Sequence, residues 1–412
     1  MESTISAAHR WARLALVNLT VLAAAGLLLR YKIVFPLPFI DQKNLLHAHS
    51  HFAFAGWAST AVYAALLHVM QLNEGQARKF ERLLWIQQIS SYGMLLSFPF
   101  LGYAPVSIAF STLSILVSYV FGWKALQHLA VVEPGIGRHW FRTAIVCNAL
   151  ASGGTFALAW MMATKNLHQD WYFGSVYFYL HFQYNGWFLF AVLGLFFYSL
   201  RRQATANTRF KTETNLWLLL TLALVPSLFL SWMWMRIPDW MYLSGVLSSV
   251  MQLCALLLFL LILKATPNQI FVKLPVSVKW LGGFSLLAFT LKILFQALSS
   301  IPFLNHYAFG LRPIVIGFLH LVLLGFITLF LISWFLYQGF ITLDSRQQKT
   351  GIWIFFCGIL LNELILFLQG LAAIFAETIP AAGYLLVFAA ASMFIGLVLL
   401  TKPYWQLNKP QN

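Results

Sequence analysis

Residues 311–339 read LRPIVIGFLHLVLLGFITLFLISWFLYQG, an apolar stretch with one basic residue at its start, Arg312, and one histidine in its first half, His320. A helix needs about 20 apolar residues to cross the hydrocarbon core of a bilayer, so this stretch predicts a membrane span. An imidazole inside such a span is costly in lipid and normally faces the bundle interior, a cavity or a polar partner. The stretch therefore predicts the class of fold and supplies the first candidate functional residue.

Similar stretches recur along the whole chain, in which 60% of the residues are hydrophobic and 9% are charged. Average soluble domains have about 25% charged residues, so we expect an all-α integral membrane protein without a separate soluble domain. Twelve transmembrane helices are predicted, at approximately 11–30, 46–70, 83–103, 105–127, 140–163, 171–200, 214–235, 241–265, 277–299, 311–339, 351–376 and 382–401.

The basic residues are distributed unequally between the two sides of these predicted spans. Of the 26 Lys and Arg residues, nineteen fall in loops on one side, Lys292 falls inside a span, and six fall on the other side: Arg30, Lys32, Lys43, Lys165, Arg236 and Arg312. Cytoplasmic loops carry the excess of Lys and Arg, so both termini are predicted to be cytoplasmic in a multi-pass protein of the cell (inner) membrane. Since these residues do not form a patch, the net charge of +15 is not interpreted as nucleic-acid binding.

Three predicted spans carry the same local pattern of histidine, four residues, glycine and an aromatic residue. The pattern reads His51-Phe-Ala-Phe-Ala-Gly56-Trp57, His181-Phe-Gln-Tyr-Asn-Gly186-Trp187 and His320-Leu-Val-Leu-Leu-Gly325-Phe326. These are the second, sixth and tenth spans, which run in the same direction. The spacing predicts a single polytopic domain with a pseudo-threefold repeat of four-helix units, at about 1–130, 131–267 and 268–412.

The chemistry of this pattern suits a flat metal cofactor. A neutral imidazole is a good axial ligand for haem iron, which takes a ligand from each side of the ring. Gly56 lets a flat ligand or another helix approach the backbone closely, and Trp57 provides a ring that can pack on a macrocycle. The alternative is that each histidine makes an interhelical hydrogen bond and each glycine serves helix packing alone.

The second span begins with two further histidines, in the sequence His47-Ala-His49-Ser-His51. Residues i and i+4 share a helix face, so His47 and His51 are expected to project together while His49 points away. His51 is the preferred ligand because it follows the repeat, with His47 and His49 as its rivals.

These histidine-bearing spans resemble those of the heme-copper oxidase superfamily, which includes nitric-oxide reductases and haem-containing membrane proteins of the nitric-oxide response. The resemblance implies twelve spans in three four-helix units and a low-spin haem, most simply haem b, held by His51 and His320. It also implies that His181 corresponds to a ligand of the non-haem metal, which is copper in the oxidases. The chain departs from the family pattern in having no histidine in Leu216–Met235 and only one in the tenth span, so the copper site is incomplete.

The resemblance implies electron transfer or redox chemistry linked to nitric oxide or oxygen, with an electron-donor protein or a quinol as partner in the lipid bilayer. Arg312 is then a candidate partner for the haem propionates, although it is equally an ordinary interface anchor. Two alternatives remain open at this stage. One is a transporter or channel in which Glu363, Lys292 and the histidines relay protons, and the other is a haem sensor without turnover.

Overall fold

The computed structural model describes residues 2–131, 137–203 and 210–406. These residues form helices and connecting loops, and no β-strand occurs among them. The long helices, in chain order, are α1 (Glu2–Val34), α2 (Gln42–Val69), α3 (Glu74–Leu101), α4 (Pro105–Val131), α5 (Arg138–Ala163), α6 (Gln169–Gln203), α7 (Phe210–Leu228), α8 (Asp239–Ala265), α9 (Val276–Leu298), α10 (Arg312–Tyr337), α11 (Arg346–Ile374) and α12 (Ala382–Thr401).

Within these described ranges, eleven helices are long and apolar enough to cross a membrane, which makes the chain an α-helical, multi-pass membrane protein. The exception is α3, which covers the predicted span 83–103 but lacks the required apolarity. The side chains of Gln87, Gln88, Ser90 and Ser91 in α3 are buried. Eleven of the twelve predicted spans are therefore helices apolar enough to cross a membrane, and α3 falls below this apolarity because it carries buried polar side chains.

Local sequence signals explain where several of these helices begin and end. Asn73 caps α3 in a capping box with Gln76, and Ser345 caps α11 in the same way with Gln348. At the other end of α3, Gly102 has a φ of 58°, a left-handed value that favours glycine. Short polar sequences thus stop and start the helices at the ends of the apolar runs.

The chain forms two compact units. The first consists of Met1–Ala125 with Trp334–Asn412, and in it α11 and α12 pack with their backbones in close contact. A Cβ added to Gly396 would lie 2.4 Å from the backbone nitrogen of Phe355, and one added to Gly351 would lie 2.6 Å from the carbonyl oxygen of Gly396. Small residues allow this close approach in membrane proteins, where dispersion between helices replaces hydrophobic burial.

The second unit, Leu126–Ser333, contains α5 to α9 and the greater part of α10. Here α5 packs closely on α6, because a Cβ on Gly154 would lie 2.4 Å from the carbonyl oxygen of Ser175. A short helix, Pro302–Gly310, precedes α10 in what the sequence predicted to be a loop. The unit therefore has the same kind of small-residue packing as the first.

Candidate functional site

The three histidines of the repeated pattern share a local backbone feature. In α2, α6 and α10 an α-helical segment ends at His51, His181 and His320 respectively. A π-helical segment begins at the next residue in each case and covers Phe52–Ala58, Phe182–Phe188 and Leu321–Thr328. π-Helical turns are rare and frequently lie at functional sites. Each histidine thus stands at the same kind of junction, with the motif glycine inside the wider turn.

Side chains of the preceding helix hydrogen-bond to two of these π-helical segments. Asn18 of α1 donates from Nδ2 to the carbonyl oxygen of Gly56 at 2.6 Å, within the first unit. Ser285 of α9 donates from Oγ to the carbonyl oxygen of Phe326 at 2.8 Å, within the second unit. A side chain that enters the helix ladder is a recognised cause of local helix distortion. These contacts therefore help to hold the π-helical turns in place.

Asn18 is the centre of a buried polar network that connects α1, α2 and α3. Its Nδ2 also donates to Oε1 of Gln88 at 2.8 Å, and its Oδ1 accepts from the Tyr92 hydroxyl at 3.0 Å. The amide of Gln88 in turn donates to Oγ1 of Thr60 at 2.9 Å. The network explains why α3 is less apolar than its neighbours, since its amides pair with groups inside the protein. Sequence analysis missed these residues, although an Asn inside the first apolar run was a visible signal.

His47 and His51 lie on one face of α2, as their i and i+4 spacing predicts. The His51 ring stacks on Phe98 with 4.6 Å between centroids and an interplanar angle of 4°, and its Nε2 lies 3.3 Å from the Tyr103 hydroxyl. The His47 ring packs edge-on against Tyr103 at 4.8 Å. Nε2 of His47 is buried and has no hydrogen-bond partner among the described residues. This face therefore holds one imidazole with a tyrosine partner and one with an unsatisfied nitrogen.

His49 lies on a different face of α2, against α1. A Cβ added to Gly26 would lie 3.1 Å from Cε1 of His49, so the absence of a side chain at Gly26 makes room for this ring. The three histidines at the start of α2 hence have two distinct surroundings.

The glycine of each motif makes room for a protein side chain. A Cβ on Gly56 would lie 2.6 Å from the Phe52 ring of the same helix, and Trp57 beside it is buried. A Cβ on Gly186 would lie 2.5 Å from Cβ of Cys147 in α5, and one on Gly325 would lie 3.1 Å from Cβ of Ala288 in α9. The motif glycines therefore have a packing role of their own, and the predicted contact of Gly56 and Trp57 with a cofactor stays a prediction.

The hydrogen bonding of His320 defines its tautomer. Nδ1 lies 2.8 Å from the carbonyl oxygen of Ile316, one turn earlier in α10. A carbonyl only accepts, so Nδ1 carries the proton and Nε2 carries the lone pair in the neutral ring. Metal-binding histidines usually donate their other N–H in this way. Arg312 is exposed at the first residue of α10, more than two turns before His320.

His181 is fully buried, and both of its ring nitrogens are hydrogen-bonded. Nε2 donates to the carbonyl oxygen of Leu224 in α7 at 2.8 Å, while Nδ1 accepts from Nδ2 of Asn185 at 3.1 Å. The partner on α7 is thus a backbone oxygen rather than a side chain. Binding of a second metal at His181 would require one of these two hydrogen bonds to break. Within the described part of the chain, no group of three or more His, Cys, Asp or Glu side chains is arranged to hold a metal ion.

The two charged residues that the sequence places inside spans have different surroundings. Lys292 in α9 is 1% exposed and lies within electrostatic range of His181 in the same unit. Glu363 in α11 accepts a hydrogen bond from Nδ2 of Asn362 at 3.0 Å. Lys292 is in none of the ion pairs found among the described residues.

The chain matches no protein-family model, and no curated protein is significantly similar to it.

Proposed function

We propose that this chain is a membrane haem protein related to the catalytic subunit of heme-copper oxidases, with His320 as one axial ligand of a haem b. The observation that carries this proposal is the π-helical segment that begins directly after each of the three motif histidines. The hydrogen bonds from Asn18 and Ser285 help to hold two of these turns, but they give no reason why a histidine precedes all three. A common function of the histidines does give a reason.

The donor chemistry of His320 supports this assignment. Its Nδ1–H donates to a backbone carbonyl, so Nε2 carries the lone pair that an axial ligand needs. When bound, the haem would supply one-electron redox chemistry. The chain's own residues hold the ring nitrogen in the correct tautomer and provide a largely apolar helix around it.

The second ligand in this proposal comes from the histidines of α2. His51 is the first choice because it follows the repeat and stands at the π-helical junction. His47 supports the same role through its buried, unpartnered Nε2 on the same helix face. His49, beside Gly26, is the third candidate.

The proposal includes one haem and no copper centre. His181 already uses both nitrogens in hydrogen bonds, and the adjacent helix contributes a carbonyl oxygen rather than imidazoles. The proposed chemistry is therefore electron transfer or nitric-oxide handling, with a quinol or an electron-donor protein as the source of electrons.

We also propose that α3 crosses the membrane as the twelfth span, within three four-helix units and with both termini in the cytoplasm. Three observations support this: α3 is 28 residues long, its polar side chains hydrogen-bond to groups inside the protein, and Lys and Arg are distributed unequally between the two sides of the predicted spans. A C-terminal fluorescent fusion should be active in the cytoplasm, whereas an alkaline phosphatase fusion at the same point should be inactive. The opposite result would refute the orientation.

Absorption spectroscopy tests the haem directly. Protein purified from haem-replete cells should show a Soret band that shifts on reduction, and a pyridine haemochrome assay should give about one haem b per chain, the number that one pair of axial ligands can hold. His320→Ala should lose the band, as should one of His47→Ala, His49→Ala and His51→Ala. His181→Gln should retain it, as should the control His168→Ala, which changes an exposed residue. A colourless wild-type protein, or full haem in His320→Ala, would refute the proposal.

A haem sensor without turnover would give the same spectra. In a sensor, nitric oxide would shift the Soret band but would not be consumed, even when an electron donor is present.

Lys292 supports a second candidate, a proton-conducting transporter, because a buried lysine in a span is commonly part of an ion or proton path. Liposomes that contain the chain and a pH-sensitive dye would test this candidate. Proton flux that disappears in Lys292→Met would support it, and flux no greater than in empty liposomes would exclude it.

A further inference from the structure

A second feature of the chain is a pocket of about 550 Å³ within the first compact unit. Its walls come from the end of α1, from the loop that leads into α2, from the first residues of α2 and from the end of α3. The pocket thus lies between the end of one apolar span, Ala7–Val34, and the start of the next, Gln42–Val69. Because a span ends where the hydrocarbon core ends, the pocket lies at the depth of the lipid headgroups.

Two opposite charges line this pocket without pairing. The charged residues of the lining are Lys32 and Asp41, and neither takes part in the ion pairs found among the described residues. Nζ of Lys32 donates to the carbonyl oxygen of Leu37. Oδ1 of Asp41 accepts from the backbone nitrogen of Asn44 at 2.8 Å and so caps α2. The backbone therefore holds a cation and an anion at separate positions in one pocket.

Both charged groups keep hydrogen-bonding capacity for a ligand. An ammonium has three N–H donors, and the Leu37 carbonyl occupies one of them. A carboxylate has about four acceptor sites, and the Asn44 N–H occupies one of them. Asp41 is exposed and Lys32 is partly exposed, so a molecule outside the protein can reach both side chains. A ligand with an anion at one end and a cation at the other would satisfy them together.

The surroundings of the pocket favour a phospholipid as this ligand. The Phe39 and Phe100 side chains, which also line the pocket, are 70% and 68% exposed. Exposed apolar rings at headgroup depth contact lipid, so an acyl chain can continue from the pocket along them. The carboxylate of Asp41 further favours a primary ammonium, which donates hydrogen bonds, over a quaternary ammonium, which has no N–H.

We propose that this pocket binds the headgroup of phosphatidylethanolamine, with the phosphate at Lys32 and the ammonium at Asp41. The inference does not depend on the haem proposal, because it uses only the membrane fold and the residues that line this pocket.

Lipid retention by the wild-type protein tests the choice of headgroup. The full chain in dodecylmaltoside is equilibrated with equal amounts of two lipids that have identical acyl chains, and native mass spectrometry counts the lipids that remain bound. Phosphatidylethanolamine should be retained about 5- to 10-fold over phosphatidylcholine, the effect of one net hydrogen bond to a charged group that is partly exposed. The monomethyl and dimethyl lipids should fall between the two in that order, because each methyl group removes one N–H donor.

Variants separate the two ends of the headgroup. Asp41→Asn keeps the cap of α2, since asparagine caps helices as well as aspartate does, but it should reduce the preference for phosphatidylethanolamine to less than about 2-fold. Lys32→Met should weaken the retention of both lipids equally, because both carry the phosphate. Lys43→Met is the matched control, since Lys43 is exposed in the first turn of α2 and lies outside the lining, and it should change neither lipid.

Four results would overturn the proposal. The first is equal retention of phosphatidylethanolamine and phosphatidylcholine by the wild-type protein. The second is an unchanged preference in Asp41→Asn. The third is a loss in Lys43→Met as large as in Lys32→Met, which would reduce the effect to general surface charge. The fourth is tighter retention of phosphatidylglycerol than of phosphatidylethanolamine, which would make the pocket a site for anionic lipids.

Discussion

Replacement of Asn18 with leucine should lower the free energy of unfolding by about 2 kcal/mol, since three hydrogen bonds are lost and each is worth about 0.6–1 kcal/mol in a membrane protein. The side chain is fully buried and bonds to Gly56 O, Gln88 Oε1 and the Tyr92 hydroxyl at 2.6, 2.8 and 3.0 Å. Leucine has the same branched arrangement of side-chain heavy atoms as asparagine, so the change leaves no cavity. The loss therefore reports the polar network rather than packing.

Unfolding of the purified protein by increasing SDS in dodecylmaltoside micelles would measure this loss. Ser50→Ala is the matched control, because the Ser50 hydroxyl bonds only to backbone oxygens of its own helix, and its cost should stay below about 0.5 kcal/mol.

A double variant makes the prediction sharper. Gln88→Leu removes one of the Asn18 bonds and the bond to Thr60, so Asn18→Leu combined with Gln88→Leu should cost about 0.5–1 kcal/mol less than the sum of the two single changes. A loss under about 0.5 kcal/mol for Asn18→Leu, or strict additivity of the pair, would refute the network as described.

Three further predictions concern packing and buried polarity. Gly186→Ala should destabilise the protein by about 1–3 kcal/mol and Gly325→Ala by less, because a Cβ would meet the preceding helix at 2.5 Å in the first case and at 3.1 Å in the second; equal losses in SDS titration would contradict this ordering. Gly396→Ala places a Cβ 2.4 Å from a backbone nitrogen of α11 and should lower the yield of folded protein in size-exclusion chromatography, while an unchanged yield and melting temperature would refute the close contact. His181→Leu should cost about 1–2 kcal/mol, because it removes the donor to the Leu224 carbonyl and leaves the amide of its other partner unpaired; an SDS titration with no loss would show that these bonds are not formed.

The positions of the membrane helices could be predicted well from the sequence. The predicted spans 140–163 and 382–401 correspond to Arg138–Ala163 and Ala382–Thr401. This success has a simple physical origin, because the thickness of the bilayer requires about 20 consecutive apolar residues in each helix and polar residues collect at the ends. Local composition is sufficient for that purpose.

The lower apolarity of α3 and the partners of its polar side chains could not be predicted in the same way. The sequence shows that Gln87 and Gln88 interrupt an apolar run, but it does not show whether their amides find partners inside the protein. The partners are Thr60 and Asn18 for Gln88 and Ser114 for Gln87, which lie far away in the chain. Such pairing depends on tertiary structure. The polarity of one sequence segment is therefore a poor guide to whether that segment lies inside the membrane.

The π-helical segments were also beyond the reach of sequence reasoning. In a helix that is apolar on all sides, the sequence does not show which residues face the protein and which face the lipid. A change from α-helical to π-helical hydrogen bonding, which shifts the partners by one residue, therefore cannot be recognised from the residue types. The repeated spacing of histidine and glycine in α2, α6 and α10 was a sign that something recurs there. It did not reveal that the recurring feature is a change in helix type or which ring nitrogen of His320 bears the proton.

Each π-helical turn also rotates the second half of its helix about the helix axis relative to the first half. One extra residue in a helix turns everything that follows by about 100°, because an α-helix has 3.6 residues per turn. In α2 the residues up to His51 and those from Ser59 onwards therefore present faces that are set independently of each other. Deletion of a single residue from Phe52–Ala58 would bring the two halves back into one continuous α-helical phase and turn the imidazole away from its present neighbours. Insertions and deletions of one residue at these three places can thus re-aim a histidine without any change to the side chains that pack the other half of the helix.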